Sequence, residues 1–464
     1  MNFLPPILKF SFFNLIFSVA ASGMPNVLIL LTDDQGTLDV NCYGAKDLKT
    51  PHMDSLAETG IRFTQAYAHT VCCPSRAALL TGRHPNRGGV QSWLQGDRNG
   101  SDAHLGNMDP SEITLAELLA DQGYHTVHIG KWHLGRVNGM AAHEQGFAES
   151  LLMASGLYGR RDDQDVIQAR QNFDPIDRFL WAALNFAASF NGGPRFEPPK
   201  YLTDYYTDQA VKVIEANKDR PFFLYLAHWA PHTPLHASKE DYEALSHIEL
   251  HRERVYAAMI RSLDRGVGRV MQALKTNGID ENTLVMFTSD NGGAGYIGLP
   301  DVNEPYRGWK ITLFEGGIRV PFLARWPARL PAGETFDAPV HHFDMYATAA
   351  AAAAAARGSS MAIEMWGLRR DGDGLEMNWR WIDAYSSFLF STSPLFLCPP
   401  SVSLVARCYL IRAALSVSLS RCSQSLSLYT FLFLLPVLAR LQECLHQNCL
   451  LAVGFDAKLL TKRL

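Results

Sequence analysis

The stretch Asn26-Val-Leu-Ile-Leu-Leu-Thr-Asp-Asp-Gln-Gly36 is a continuous apolar run that ends abruptly in two carboxylates. A run without alternating polar residues is typical of a strand buried on both faces, as in a parallel sheet covered by helices. Similar runs recur at 124–129, 222–227 and 283–288, and segments with helical signals separate them. The sequence therefore predicts an α/β fold with a mainly parallel sheet flanked by helices.

Polar clusters follow each of these four apolar runs directly. The clusters are Asp33-Asp34, Lys131-Trp132-His133, His228-Trp229-Ala230-Pro231-His232 and Ser289-Asp290-Asn291-Gly292. In open α/β sheets, ligands bind outside the carboxyl ends of the strands. Four polar clusters at one edge of a sheet favour a single ligand site over four unrelated turns.

Carboxylate and amide oxygens dominate two of these clusters. Asp33 and Asp34 are adjacent, and neighbouring carboxylates repel each other unless a cation compensates their charge. Asp290 and Asn291 add a carboxylate and an amide oxygen after another strand. Such an all-oxygen set suits a hard cation, calcium or magnesium, and not zinc or copper. An exposed turn is the simpler interpretation of Asp33-Asp34 taken alone.

The stretch Val71-Cys-Cys-Pro-Ser-Arg-Ala-Ala-Leu-Leu-Thr-Gly-Arg83 contains a candidate reactive side chain. Pro74 has no amide hydrogen to lose and suits the first turn of a helix. This predicts that Cys72 lies just before a helix N-terminus, where the partial positive charge and the nearby Arg76 favour an anion. A buried cysteine or half of a disulfide is the simpler interpretation of two adjacent cysteines alone.

Basic and imidazole side chains in the strand-end clusters and near residue 310 are candidates for anion binding and proton transfer. Lys131 and Lys310 could neutralise an anionic substrate, and His133 and His232 could orient or protonate it. In isolation each is equally compatible with a surface lysine or a structural histidine. As a set they describe a metal, an anion pocket and two candidate acids around one nucleophile.

Five motifs in this chain resemble, in order, the signatures of the sulfatase family. They are Asp33-Asp34-Gln35-Gly36, Cys72-Cys-Pro-Ser-Arg76 with Leu80-Thr-Gly-Arg83, Gly123-Tyr124 through Gly130-Lys-Trp-His-Leu-Gly135, Ser289-Asp-Asn-Gly292, and the segment from Lys310 to Pro321. The resemblance extends over about residues 25–348 and implies the alkaline-phosphatase-like α/β sandwich.

The resemblance also implies a mechanism in which the formylglycine-generating enzyme oxidises Cys72 to formylglycine. The implied ligands of one calcium ion, in preference to magnesium, are Asp33, Asp34, Asp290, Asn291 and the modified Cys72. Arg76 would stabilise the modified residue, and the residues implied to hold the sulfate or assist the leaving group are Lys131, His133, His232 and Lys310. One hydroxyl of the hydrated aldehyde would attack sulfur, and the second would expel sulfate. The implied substrates are sulfate monoesters of aryl alcohols or carbohydrates.

Two other functions are compatible with the same motifs. A metal-activated diol can also attack phosphorus, so a phosphodiesterase or phosphonate hydrolase of the same superfamily is one alternative. A truncated, inactive sulfatase relative that serves as a binding protein is the other.

The sequence divides into three parts. Residues 1–23 contain a lone Lys9, an apolar run and small residues after it, and they resemble a secretory signal peptide, although a buried segment of the mature fold has a similar pattern. A signal implies the secretory pathway, a secreted or lysosomal protein, and a candidate glycosylation site at Asn99. Residues 24–348 form the expected sulfatase catalytic domain. We expect residues 349–464 to be a divergent, low-complexity tail, disordered or mistranslated, with the C-terminal sulfatase subdomain missing.

Composition argues against several classes of partner. The chain has 42 Lys and Arg residues against 46 Asp and Glu residues, a formal net charge of -4, which gives no indication of nucleic acid or of a polybasic membrane contact. The uncharged piece 422–439 is interrupted by Pro436 and is not expected to span a membrane. The eight cysteines include no CxxC pair and no Cys/His cluster with zinc spacing.

Local signals predict further elements. Helices are expected over 51–59, 111–123, 201–217 and 248–277, and strands over 61–67 and 319–326. Ser111 is the expected cap of the second helix, and Gly123 its terminator. Residues 140–200 lose any clear period, which predicts an insertion or long loops around the site that would contribute to substrate specificity.

Overall fold

A large mixed sheet with helices on both faces organises the part of the chain that the structure describes. The structure is a computed structural model that describes residues 23–46, 48–93, 106–299, 302–355, 368–371 and 374–377. The strands are β1 (Asn26–Thr32), β2 (Ile61–Phe63), β3 (Ala66–Tyr67), β4 (His125–Gly130), β5 (Glu149–Gly156), β6 (Val166–Gln168), β7 (Phe186–Phe190), β8 (Phe222–Ala227), β9 (His236–Ser238), β10 (Thr283–Ser289), β11 (Phe322–Arg325), β12 (Glu334–Phe336), β13 (Val340–His341), β14 (Leu368–Asp371) and β15 (Gly374–Met377). The α-helices are α1 (Pro51–Glu58), α2 (Cys72–Thr81), α3 (Leu115–Asp121), α4 (Pro175–Ala183), α5 (Leu202–Asn217), α6 (Lys239–Glu243), α7 (His251–Thr276), α8 (Glu315–Ile318) and α9 (His342–Ala355).

The central sheet has nine strands in the order β12-β2-β11-β10-β1-β8-β4-β5-β7. Five neighbours, from β10 to β5 in that order, run parallel to one another. Two strands oppose them, since β11 is antiparallel to β10 and β7 is antiparallel to β5. Every residue of β1 and β8 is buried, as expected for parallel strands covered on both faces. The prediction of an α/β fold with a mainly parallel sheet flanked by helices is confirmed.

Two apolar cores lie on opposite faces of this sheet. Successive side chains of a strand point to opposite faces, so Leu28 and Leu30 belong to one core while Ile29 and Leu31 belong to the other. Helices α1, α5 and α7 contribute to the first core, and α2, α3 and α9 to the second. Each fully buried side chain of this kind stabilises the fold by about 1.5–3 kcal/mol relative to an exposed one. The strand ends are therefore held on a rigid support.

Several predicted boundaries need correction. The strand predicted over 61–67 is two strands, of which β2 joins the central sheet and β3 pairs with β13. The strand predicted over 319–326 is shorter, because β11 covers only Phe322–Arg325. The helix predicted from Ser111 begins at Leu115, since Thr114 is its cap. The Glu117 N–H donates to Thr114 Oγ1 at 3.1 Å and the Thr114 N–H donates to the Glu117 carboxylate at 2.7 Å, which is a capping box.

The segment 140–200 contains regular structure that its sequence does not reveal. Strand β5 extends the parallel part of the sheet beside β4, and β7 closes that edge. The β5–β7 pairing shifts register between Met153 and Ser155. A bulge of this kind interrupts the alternation of apolar and polar residues by which a strand is identified. The prediction of an insertion or long loops is therefore wrong for these strands.

Helix α9 continues through the alanine run that follows Thr348. Ala349, Ala352 and Ala353 are buried in the second core, where their small side chains let α9 pack against α2. Further along the chain, β14 and β15 form an antiparallel pair.

Some predictions fall on residues that the structure does not describe. These include nearly all of the signal peptide, the candidate glycosylation site at Asn99 and the tail beyond residue 377. Among the described helices, none is both long enough and apolar enough to cross a membrane.

Candidate active site

The four polar clusters meet at the carboxyl edge of the sheet, because β10, β1, β8 and β4 are parallel neighbours. Backbone hydrogen bonds continue between the segments beyond the strand ends. The Asp33 N–H donates to the Ala230 carbonyl at 3.1 Å, and the Asp290 N–H donates to the Thr32 carbonyl at 3.1 Å. The Lys131 N–H donates to the Ala227 carbonyl at 2.8 Å. The site is therefore built on an extension of the sheet.

Cys72 lies at the first position of α2, one residue later than predicted, and its side chain points toward the end of β1. Its Sγ is 3.5 Å from Asp33 Oδ1 and 4.0 Å from Asp34 Oδ1. Burial raises the pKa of the Cys72 thiol well above its ordinary value, and the charges of Asp290 and Asp33 raise it further. Arg76 directs its guanidinium to Asp33 and Asp290 rather than to Cys72, and the raised pKa favours the neutral, weakly nucleophilic form of the unmodified thiol.

Arg76 is one turn further along α2 and is completely buried. Its guanidinium donates to Asp290 Oδ2 through Nε at 2.9 Å and through Nη2 at 2.8 Å. Nη2 also lies 3.0 Å from Asp33 Oδ2, and Nη1 donates to the Lys131 carbonyl at 2.9 Å. Arg76 thus joins the ends of three strands and neutralises two buried carboxylates.

Two lysines provide the remaining positive charges near the carboxylates of the site. Lys131 Nζ donates to Asp33 Oδ2, and Lys310 Nζ lies 2.7 Å from Asp34 Oδ1. Burial alone would lower the pKa of each lysine, but Asp33 beside Lys131 and Asp34 beside Lys310 raise it above the usual value. Both lysines are therefore charged. Together with Arg76 they provide three cations for the carboxylates of Asp33, Asp34 and Asp290.

His232 is neutral and presents a lone pair to the site. Its Nδ1 lies 2.5 Å from the Thr233 carbonyl, which can only accept, so Nδ1 carries the proton. Its Nε2 accepts from Lys310 Nζ at 3.3 Å and lies 3.5 Å from Asp34 Oδ2. Burial and the charge of Lys310 lower the pKa of His232 well below its ordinary value. Trp229 stacks on the imidazole with ring centroids 3.8 Å apart and fixes its plane.

His133 is held near the same lysines by an unusual backbone. Its φ is 62°, and Asp34 at the end of β1 has a φ of 61°, a conformation that residues other than glycine adopt rarely. Burial lowers the pKa of His133 well below its ordinary value, with Lys131 contributing next. Its Nδ1 is buried with no hydrogen-bond partner among the described residues. Strained backbone of this kind concentrates at functional sites.

The donor atoms fit a hard cation. One oxygen or sulfur atom from each of Asp33, Asp34 and Cys72 and one nitrogen of His232 lie within 4.8 Å of one another. Asn291 Oδ1 is buried and has no hydrogen-bond partner among the described residues, while its Nδ2 donates to Asp34 Oδ1 at 2.7 Å. A buried amide oxygen that lacks a hydrogen-bond donor and lies beside carboxylates is suited to bind a hard cation. Asp290 has less capacity left to bind a cation, because its Oδ2 accepts from Arg76 and its Oδ1 accepts the Asp34 N–H at 3.2 Å.

Every residue predicted for the site is present in this region, and the structure adds two aromatic residues. Trp229 stacks on His232, as described, and its ring also lies 4.5 Å from Lys131 Nζ. Tyr296 is the second, and the positive charge of Lys310 acts on its buried hydroxyl. No sequence signal marks Tyr296 except its position in the glycine-rich segment after Asn291.

Comparisons with known proteins agree with this geometry. The sulfatase family profile matches residues 25–355. N-acetylgalactosamine-6-sulfatase from Canis lupus familiaris is 32% identical over 377 residues, which cover 77% of this chain and 69% of that protein. The human N-acetylgalactosamine-6-sulfatase is 33% identical over 358 residues, and this match covers 66% of its length.

A solved structure supports the same assignment. The crystal structure of Ps i-CgsB in complex with k-i-k-neocarrahexaose is similar, with a TM-score of 0.61 and 36% identity over 72% of each chain. PsFucS1 sulfatase from Pseudoalteromonas sp. has a TM-score of 0.58 and 29% identity over 71% of this chain and 68% of that chain. From the family profile, the relatives and the shared fold we conclude that the chain belongs to the sulfatase family, within the alkaline-phosphatase-like superfamily.

Proposed function

We propose that this chain hydrolyses sulfate monoesters of carbohydrates or aryl alcohols, using a formylglycine made from Cys72 and one bound calcium ion. The observation that carries the proposal is the position of the Cys72 side chain. It is buried 3.5 Å from Asp33, among three carboxylates and three cations, and its thiol is neutral. An unmodified thiol there is a poor nucleophile, whereas an oxygen nucleophile at the same position would be next to a candidate cation site.

The modification and the metal would supply the chemistry that the thiol lacks. Oxidation of Cys72 would give an aldehyde whose hydrate offers one hydroxyl to attack sulfur and a second to expel sulfate. A bound calcium ion would supply positive charge that favours ionisation of an attacking hydroxyl. Its proposed ligands are Asp33, Asp34, Asp290, Asn291 and the modified Cys72. The unpaired Oδ1 of Asn291 and the tight Asp33–Asp34 pair support this set.

The cations of the site suit a sulfate group. Lys131 and Lys310 each bind an aspartate here, and both can turn to the oxygens of an anionic substrate. Arg76 is fully engaged with Asp290 and Asp33, so we assign it to holding the site together and to stabilising the modified residue.

Proton transfer to the leaving alcohol needs a donor on the substrate side. Lys310 is charged and already donates toward the Nε2 of His232, so Lys310 is the better candidate acid and His232 the better candidate acceptor. His133 has an unpaired Nδ1 beside Lys131, and we assign it to orienting the sulfate or the leaving oxygen.

The proposed partners and location follow from this chemistry. The formylglycine-generating enzyme would act on Cys72 during secretion, which agrees with the proposed signal at residues 1–23. We therefore propose a secreted or lysosomal enzyme. The glycan bound in the Ps i-CgsB structure supports a sulfated glycan as substrate.

Mass spectrometry tests the modification directly. The full chain is produced in secreting cells, and the peptide that contains Cys72 is examined for replacement of the thiol by an aldehyde. The same preparation is assayed with nitrophenyl sulfate and with a nitrophenyl phosphate diester. We expect the aldehyde and preferential hydrolysis of the sulfate.

Two variants complete the test. Cys72→Ala should lose activity, while the matched variant Cys73→Ala, at a neighbouring buried cysteine, should keep both the aldehyde and the activity. An unmodified Cys72 in an inactive but folded protein would refute the proposal. Faster turnover of the phosphate diester would favour the phosphodiesterase alternative.

A further inference from the structure

We propose that a cleft lined by three arginines, beside the loop that carries His232, binds a second anionic group of a polyanionic substrate. The inference rests on the proposed sulfatase function and specifies its substrate class, namely glycans that carry more than one sulfate or carboxylate. The cleft has a volume of about 220 Å³, and its polar and aromatic lining residues are Arg161, Arg170, Asn172, Asp177, Arg178 and Trp181. We call it the arginine cleft.

The arginines of the cleft form no ion pairs in the described part of the chain. Arg161, Arg170 and Arg178 are exposed, and none of them lies within ion-pair distance of a carboxylate in the described part of the chain. The acidic residue that lines the cleft is Asp177, which is buried and already accepts two hydrogen bonds. It accepts the Gln171 N–H at 2.5 Å and the Thr233 hydroxyl at 3.1 Å. Three guanidiniums against one carboxylate leave the cleft positive.

Two of the three arginine side chains, those of Arg170 and Arg161, are held by contacts with neighbouring residues. The Arg170 guanidinium lies 4.4 Å from the ring centroid of Trp181, and its Nε donates to Gln168 Oε1 at 3.0 Å. This leaves its terminal nitrogens available as a planar pair of donors. Arg161 Nη2 donates to the Leu184 carbonyl at 2.6 Å. Fixed guanidiniums lose less entropy when they bind a sulfate or carboxylate in a bidentate manner.

Three buried ring nitrogens near the cleft also lack hydrogen-bond partners. Trp181 Nε1 and both ring nitrogens of His236 are buried without a hydrogen-bond partner among the described residues. The two rings lie edge to face, with centroids 5.5 Å apart. Burial lowers the pKa of His236 to about 3, with Arg170 and Arg161 adding to the effect, so this imidazole is neutral and adds no charge to the cleft.

The arginine cleft lies near the proposed catalytic site, since two successive hydrogen bonds between buried residues separate them. Asp177 accepts the Thr233 hydroxyl, and the Thr233 carbonyl accepts from His232 Nδ1. A substrate whose reacting sulfate lies between Lys131 and Lys310 could extend past His232 toward the cleft. The cleft is smaller than the pockets that enclose drug-sized ligands, so it suits a single anionic group rather than a whole sugar ring. Two anions on one molecule would bind cooperatively, because the second contact is intramolecular.

Competition between a small substrate and polyanions tests the proposal. Hydrolysis of nitrophenyl sulfate is measured with size-defined oligosaccharides of heparin, chondroitin sulfate and carrageenan as inhibitors. The proteins are the full-length chain, the double variant Arg170→Gln/Arg178→Gln, and Arg329→Gln. Arg329 is an exposed arginine next to Ala328, whose N–H binds the Glu281 carbonyl just before β10 begins, at the edge of the sheet opposite the site.

We expect at least one oligosaccharide to inhibit the unmodified protein more strongly than inorganic sulfate does. The double variant should weaken this inhibition by at least about tenfold, since each lost charge-assisted contact costs about that much affinity. It should leave KM for nitrophenyl sulfate within about twofold, and Arg329→Gln should change neither quantity. Equal inhibition of all three proteins, or no oligosaccharide stronger than inorganic sulfate, would overturn the proposal.

Calorimetric titration of the same oligosaccharides separates this inference from the proposed function. If nitrophenyl sulfate is not hydrolysed, the sulfatase proposal fails, yet binding that weakens in the double variant alone would still support the arginine cleft. If hydrolysis is normal and binding is equal in all three proteins, the cleft proposal fails and the sulfatase proposal stands.

Discussion

The Arg76 guanidinium binds a single carboxylate oxygen of Asp290 through both Nε and Nη2, and neither side chain has any solvent exposure. This pair connects α2, which carries Cys72, to the end of β10. Because both partners are buried, removal of one leaves the other as an uncompensated charge. The pair therefore affects stability as well as any chemistry at Cys72.

Replacement of Arg76 by Met should destabilise the fold by about 3–5 kcal/mol, the usual cost of breaking a buried ion pair. The expected result is a lower urea midpoint, with Arg329→Gln as a control for loss of one positive charge at the surface. Arg76→Lys should recover only part of the loss, because a lysine cannot reproduce the forked contact. A midpoint for Arg76→Met equal to that of the unmodified protein would contradict the assignment.

Calcium should stabilise the protein against heat in a way that depends on Asp34. An ion that binds only the folded state adds about 2.7 kcal/mol at a concentration one hundred times its dissociation constant. Thermal unfolding is measured after chelation, and then with calcium or magnesium added. The expected rise with calcium is larger than that with magnesium, and Asp34→Asn should abolish it. An equal rise in the variant would exclude this site as the origin of the effect.

The strand ends could be predicted because a strand buried on both faces has a simple sequence pattern. Strands β1 and β8 have the predicted limits, since each is an apolar run buried on both faces and closed by polar residues. Parallel strands place their carboxyl ends at one edge, so the location of Asp33 and Asp290 at the same edge follows from the pattern, whereas the pairing of β1 with β10 does not. The contacts that distinguish one lysine or histidine from another, such as that of Lys310 with His232, depend on packing that the pattern does not contain.

Other features were missed because a local signal was ambiguous. Two hydroxyl residues precede α3, and only Thr114 has a glutamate three positions later, which is the signal that could have identified it. The β5–β7 edge was missed because its bulge interrupts the alternation. Tyr296 could not be identified because its proximity to Lys310 comes from the tertiary structure and not from a local pattern.

The two hydroxyl residues before α3 give a direct test of the cap. Thr114→Ala removes the acceptor of the Glu117 N–H and should lower the free energy of unfolding by about 1–2 kcal/mol. Ser111→Ala is the matched control, because Ser111 is exposed and its hydroxyl binds Asp109 outside the helix. Urea denaturation of both variants measures the difference. Equal losses would show that the capping box does not stabilise α3.

Tyr296→Phe should lower the rate of sulfate ester hydrolysis while the fold stays intact. The hydroxyl lies in the field of Lys310, the candidate acid, and a hydrogen bond to a charged group is worth about 1.5–3 kcal/mol, or roughly a ten- to hundredfold change in rate. The effect should appear in kcat rather than in KM for nitrophenyl sulfate, if Lys310 acts on the leaving group. Tyr242→Phe, at a hydroxyl that binds His251 on the surface, is the control. An unchanged kcat would remove Tyr296 from the site.

Buried neutral histidines should make the fold less stable as the pH falls from 7 toward 5. Burial lowers the pKa of His128 to about 3 and that of His228 to about 4, whereas an unfolded histidine has a pKa near 6.5. Below about pH 6.5 the unfolded chain therefore binds protons that the folded chain does not. Each such histidine then lowers the free energy of unfolding by up to about 1.4 kcal/mol per pH unit. Asp264, whose pKa burial raises to about 6, and Asp344, whose pKa burial also raises, act in the opposite direction, but the buried histidines outnumber them among the described residues.

Urea denaturation at intervals between pH 7 and pH 5 measures this dependence in the unmodified chain and in His128→Phe. His128 is surrounded by the rings of Trp132, Phe147 and Tyr225, so phenylalanine suits the same space. The variant loses the bond to Ser150 Oγ, which lowers stability at every pH, and it also loses one titrating group. The slope of the unfolding free energy against pH should therefore decrease by nearly 1.4 kcal/mol per pH unit at the acidic end of the range, which corresponds to about one proton. An unchanged slope would mean that His128 is already protonated in the folded state or neutral in both states.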